Sequence, residues 1–94
     1  MTLEEVSNPQ EVYNKAFKML GNDIAIKPST RRDKKYMVKG QFSDGRWIHF
    51  GSMLYEDYTK HKDKERRERF KIRNHRWANA PTDSAMWLSY YLLW

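Results

Sequence analysis

Three histidines and two aspartates fall between residues 49 and 75: His49, Asp57, His61, Asp63 and His75. Imidazole and carboxylate groups at that density raise the question of metal-assisted hydrolysis, which needs ligands converging at fixed spacing. The spacing does not supply it. His61-Lys62-Asp63 is embedded among cations that repel a metal ion, and no Ser-His-Asp nucleophile pattern accompanies it. No glycine-rich phosphate loop is present either. A nuclease-like centre on His49, Asp57 and His61 is the weakest of three functional readings. The sequence asks for no catalytic residue, no metal and no cofactor.

The chemistry that these residues do carry is cationic. Between Lys60 and Arg76, nine lysines and arginines stand against three acids, a balance of +6 that equals the net charge of the whole chain. Lys60, Lys62, Lys64, Arg66, Arg67, Arg69, Arg73 and Arg76, with Trp77 at the end of the run, are the expected partner- or polyanion-binding residues. Charge concentrated in this way favours a polyanion or an acidic protein face as neighbour. Guanidinium groups could track phosphates, with binding that weakens steeply as salt rises. Tyr36, Tyr58 and Trp77 would then stack on unpaired bases. No helix-turn-helix spacing, zinc finger or RNA-recognition signature supports that choice. The bland alternative is a solvated face stitched by the i, i+4 pairs Glu65–Arg69 and Asp63–Arg67.

A second group has structural rather than binding character: His49, Gly51, Tyr55, Asp57, Tyr58 and His61. His49 is expected half-buried with a hydrogen bond. Gly51 gives the backbone freedom as the chain leaves a strand. Tyr55, Asp57 and His61 are expected to form a local network that fixes the joint between strand and basic helix.

The elements that must position these groups follow from periodicity and punctuation. Residues 1–7 read as a flexible lead and residues 8–94 as one domain. Asn8-Pro9-Gln10-Glu11 opens a helix, with Asn8 as cap, Pro9 in the first turn and Glu11 as the returning carboxylate of a capping box. Val12, Tyr13, Ala16, Phe17 and Leu20 give it one apolar face, and Gly21 ends it. Ile24-Ala25-Ile26 is a short strand, and Lys27 to Asp33 a solvated loop. Lys35 to Phe42 alternates as a strand, Ser43-Asp44-Gly45 signals a hairpin turn, and Arg46 to Phe50 returns. The basic helix starts near Asp63. Thr82, Asp83 or Ser84 caps a last helix whose Trp87, Tyr90, Tyr91 and Trp94 form an aromatic stripe. That stripe either packs on the sheet and completes the core or meets another chain.

The chain has 94 residues, no cysteine, four tryptophans and six tyrosines. One small domain is the limit at this length. Disulfides and cysteine-based zinc sites are excluded. No run of 18 apolar residues exists to span a membrane, and the acidic start, Met1 to Glu5, lacks a signal-peptide core. Mean hydropathy is low, −0.99, yet 15% of residues are aromatic, too many for a disordered tail. The expectation is an α+β module with a mostly aromatic core. It comprises a two- or three-stranded antiparallel sheet packed with N-terminal, basic central and aromatic C-terminal helices.

Ile48-His49-Phe50-Gly51, Tyr55, Asp57-Tyr58-Thr59, His61-Lys62-Asp63, Arg66, Arg69-Phe70 and Arg73 form a further pattern. With the closing Leu92-Leu93-Trp94, it resembles an uncharacterised family of small proteins associated with nucleocytoplasmic large DNA viruses and some phage. The resemblance spans Lys35 to Trp94. It departs at Asn74, where histidine is expected directly after the arginine and His75 follows one place later. It carries over no catalytic residue. It implies a virion setting and a non-enzymatic protein: a minor capsid or cement component bound to neighbouring capsid proteins by aromatic anchors and the basic helix. The alternative it leaves open is a basic protein bound to DNA or RNA in the virion.

Overall fold

The computed structural model describes all 94 residues. Short helix α1 (Leu3–Val6) leads into α2 (Pro9–Leu20). Three strands follow, β1 (Ala25–Pro28), β2 (Lys34–Lys39) and β3 (Ile48–Ser52). After them come α3 (Tyr58–His61), the basic helix α4 (Lys64–Arg73), and α5 (Ala85–Leu88), which runs on as a π-helical turn over Ser89–Leu93. The fold is α+β with an open antiparallel sheet in the order β1-β2-β3.

Helix α2 forms where its punctuation demands. Asn8 Oδ1 accepts the Glu11 N–H at 3.3 Å, Pro9 stands in the first turn, and Gly21, at φ 101°, donates its N–H to the Phe17 carbonyl. Val12 and Ala16 are fully buried. The Glu11 carboxylate closes no capping box; it reaches across to Lys62 Nζ at 2.5 Å. The lead meets the rest of the fold at its end. Val6 and Ser7 are buried, and the Val6 carbonyl accepts the Asp57 N–H at 3.0 Å.

In the sheet, β2 is central, and Tyr36 faces Phe50 across the β2–β3 register, their rings 5.7 Å apart. Strand β2 stops at Lys39, short of Phe42. A 3-10 turn over Gln41–Ser43 replaces the tight hairpin, and Asp44 and Gly45 take the left-handed conformation beyond it. Phe42 leaves the strand and packs against the core.

The core is less aromatic than expected. Its buried cluster is Val12, Ala16, Ile24, Tyr36, Val38, Phe50, Leu88, Leu92 and Leu93, with two rings among nine side chains. The C-terminal segment packs on the sheet and completes this core, but with its leucines. A π-helical turn closes its hydrogen bonds from i to i+5, so Leu92 and Leu93 both come to lie on the side of Leu88. Trp87, Tyr90, Tyr91 and Trp94 are only half-buried.

Candidate functional site: an arginine and aromatic cleft

The basic run is not one rod. Asp57 starts α3, Lys62 breaks it in the left-handed conformation at φ 56°, and Asp63 starts α4 by accepting the Glu65 and Arg66 N–H groups at 3.0 and 3.2 Å. Asn74 ends α4, and a 3-10 turn over His75–Asn79 carries Arg76 and Trp77. Each break redirects the cations that follow.

Helix α4 buries no residue; it is held by rings. Phe70 stacks on Trp94 at 4.2 Å, nearly parallel, and meets Trp77 edge-on at 5.7 Å. Arg67 donates from Nε to the Trp94 carbonyl at 2.6 Å and lies over the Tyr58 ring. Lys71 lies over Tyr90 at 4.3 Å; burial, with Arg67 nearby, lowers its pKa. Positions 67, 70 and 71 thus face the C-terminal segment. Arg67 is spent on a structural contact and Asp63–Arg67 is no ion pair, whereas Glu65–Arg69 is, at 3.9 Å.

Positions 66, 69 and 73 make a different face. Arg66, Arg69 and Arg73 line a cleft of about 850 Å³ between α4, the Gly51–Ser52 end of β3 and the C-terminal segment. Trp77, Tyr55 and Met86 line the same cleft. Its charge is only partly compensated. Glu56 stands 3.8 Å from Arg66, Glu65 serves Arg69, and Arg73 makes no ion pair. Of the other expected binding residues, Lys60 is exposed on α3, Lys62 pairs with Glu11, and Lys64 lines a shallow groove with Lys71 and Ile72.

The cleft floor explains Gly51. Its φ is +84°, and a Cβ there would stand 2.8 Å from Leu93 Cδ1 and 3.1 Å from Lys35 Cβ. Only glycine lets β3 pass beneath the leucine while keeping that backbone. Behind it, Lys35 Nζ meets Asp57 Oδ2 at 3.1 Å with both side chains sealed from solvent. The lysine was not foreseen as a site residue, since nothing local distinguishes a buried lysine from a surface one.

The segment of sequence-expected structural residues is brought together only in part. His49 is half-buried and hydrogen-bonded, its Nδ1 2.7 Å from Ser29 Oγ; burial lowers its pKa. Asp57 is fully buried, but its partners are Lys35 and Thr59, not Tyr55 and His61. Tyr55 is mostly exposed at the cleft rim. His61 Nδ1 accepts the Asp63 N–H at 2.9 Å, which leaves the proton on Nε2, buried near Trp94 without a partner. Tyr58 supports Arg67, and Tyr36 is fully buried, so neither offers a ring to a base. His49, Asp57 and His61 form no common centre, and no three His, Cys, Asp or Glu side chains gather to hold a metal ion. No helix is long and apolar enough to cross a membrane.

The sheet, the Tyr55–Asp57 bridge and α4 as one continuous stretch match a described family over residues 24–74. The chain belongs to DUF5754, a family of unknown function. The DUF5754 segment supplies the three cleft arginines, Gly51, Tyr55 and the Lys35–Asp57 pair. Helix α2 and the C-terminal segment that brings Met86 and Trp94 to the cleft lie outside it. No curated protein and no solved structure matches the chain.

Proposed function

We propose that this chain is a non-enzymatic structural protein of a virion, a minor capsid or cement component. It docks on the acidic face of a neighbouring shell protein through the α4 cleft. One observation carries the docking role: three guanidinium groups share a cleft with Tyr55, Trp77 and Met86, and Arg73 has no acid of its own. Arginine, tryptophan and tyrosine are the side chains that dominate binding energy at protein interfaces. The virion setting rests on the resemblance of the Ile48–Arg73 pattern to small proteins of large DNA viruses. Quantitative mass spectrometry of purified particles tests it. A shell component is expected at a fixed copy number that nuclease treatment leaves unchanged.

A second reading is favoured by Trp77 lining the same cleft as Arg73: a ring for a base beside a cation for a phosphate, the pairing used on single strands. It predicts loss of the protein from particles once the genome is digested.

A further inference from the structure

Helix α4 gives the cleft three arginines, at 66, 69 and 73, which stand with Lys34 and the buried Lys35 of β2; its Lys64, Arg67 and Lys71 line the shallow groove elsewhere on the helix. A guanidinium presents a planar fork that matches carboxylate or phosphate oxygens two at a time; an ammonium does not. The cleft therefore suits a ligand with planar or tetrahedral anions held at fixed positions, rather than diffuse charge. The two acids that pair with its arginines, Glu56 of the lining and Glu65 outside it, are weak competitors. Glu56–Arg66 and Glu65–Arg69 are long contacts between solvent-exposed side chains, which contribute little and give way readily.

Part of the cleft is apolar and open. At its rim Tyr55 is 66% and Met86 44% exposed, and Leu54 beside Tyr55 is 75% exposed. Phe70 and Ala85 also contribute to the lining. Large apolar side chains left together at a rim mark an interaction surface, and methionine adapts its shape to what docks. Nucleic-acid interfaces are more polar than protein–protein ones, and single-strand sites need free ring faces for stacking. Here Phe70 already spends one face on Trp94 and lies nearly perpendicular to Trp77. A peptide that carries both carboxylates and an apolar side chain uses every part of the cleft.

We propose that the cleft binds a short acidic segment of a partner protein. Carboxylates engage Arg69 and Arg73, and one aromatic or long aliphatic side chain packs against Tyr55, Trp77 and Met86. The proposal rests on the docking role above and names what the partner brings to it.

Fluorescence anisotropy tests it on the full chain with three labelled probes: a decapeptide of glutamates and aspartates around a central phenylalanine, the same peptide with serine in place of phenylalanine, and a ten-residue oligothymidylate. The phenylalanine peptide is expected to bind about tenfold more tightly than the serine peptide, the value of one partly buried apolar side chain. R69Q/R73Q is expected to weaken it about tenfold or more. Lys60→Gln with Lys64→Gln, which removes as much charge from exposed positions outside the cleft, is expected to change it by about twofold at most. Circular dichroism confirms that each variant keeps its fold. Equal binding of the two peptides, indifference to R69Q/R73Q, or tighter binding of the oligothymidylate at the same arginines each overturns the acidic segment. If the protein is still counted in nuclease-treated particles, that failure leaves the docking role standing. Absence from particles overturns the docking role itself.

Discussion

Lys35 and Asp57 meet inside the fold, Nζ 3.1 Å from Oδ2, with 2% and 0% of their side chains exposed. They are the hub of a polar chain that ties three parts of the molecule together. Thr59 Oγ1 donates to Asp57 Oδ1 and accepts the Asn8 N–H at 2.9 Å. Ser7 Oγ lies 3.2 Å from Thr59 Oγ1 and accepts the Tyr36 hydroxyl at 2.7 Å. Sheet, lead and α3 are thereby fixed to one another directly behind the cleft. Burial lowers the Lys35 pKa, opposed by the Asp57 charge, and raises that of Tyr36.

Breaking that pair from one side leaves a charge buried alone. Lys35→Met or Asp57→Asn is expected to cost about 3–5 kcal/mol, a large share of the roughly 5–15 kcal/mol that holds a domain together. Lys35→Met with Asp57→Leu removes both charges and recovers part of the loss. Urea denaturation of the three variants measures it. Single losses under about 1 kcal/mol, the range of exposed pairs, would mean that the pair is open to water.

Gly51 and Gly45 both hold positive φ, at 84° and 76°, but only Gly51 is crowded. A Cβ at Gly45 meets nothing within 4 Å. Gly45→Ala is expected to cost about 1 kcal/mol from backbone strain alone. Gly51→Ala adds overlap with Leu93 and Lys35 and is expected to cost about 1–3 kcal/mol more. Thermal unfolding of the two variants compares them directly.

The pH dependence has a defined sign at His61. Burial lowers its pKa below 6.5, with the Arg66 charge adding to the effect, and protonating Nδ1 forfeits the bond from the Asp63 N–H. The unfolded chain therefore binds the proton more readily. The contribution of this group is fully present above pH 6.5 and is lost as pH falls through the lower folded value. Melting temperature is expected to fall from pH 7 to pH 5, and less so in His61→Phe. His49, shifted the same way by burial and Arg31, supplies a residual slope.

What the sequence carried locally was legible. Asn8, Pro9, the apolar spacing from Val12 to Leu20 and Gly21 define α2 within fourteen consecutive residues, and Asp63 marks α4 by its cap. What depends on distant partners was not. Lys35 reads as one more strand cation, because Asp57 lies 22 residues away. Regular helical spacing points to the rings of the C-terminal stripe, whereas a π-helical turn brings Leu92 and Leu93 inward. The cleft was half-visible. Arg66, Arg69 and Arg73 recur at i, i+3, i+7, a face in their own right, but which face of α4 stays free is decided by where Trp94 packs.

Arg69 and Arg73 are exposed and support no buried contact, so R69Q/R73Q is expected to shift stability by no more than about 0.5 kcal/mol. Its effect is expected on partner binding and on the salt dependence of that binding. Urea denaturation beside the anisotropy titrations separates the two.

The most direct test is to count this protein in purified particles by mass spectrometry, before and after nuclease, for the wild-type chain and R69Q/R73Q. A docking role at the arginine cleft predicts a fixed wild-type copy number that nuclease leaves intact and that falls about tenfold in the variant. A wild-type chain that is missing from particles, or that leaves with the digested genome, contradicts it.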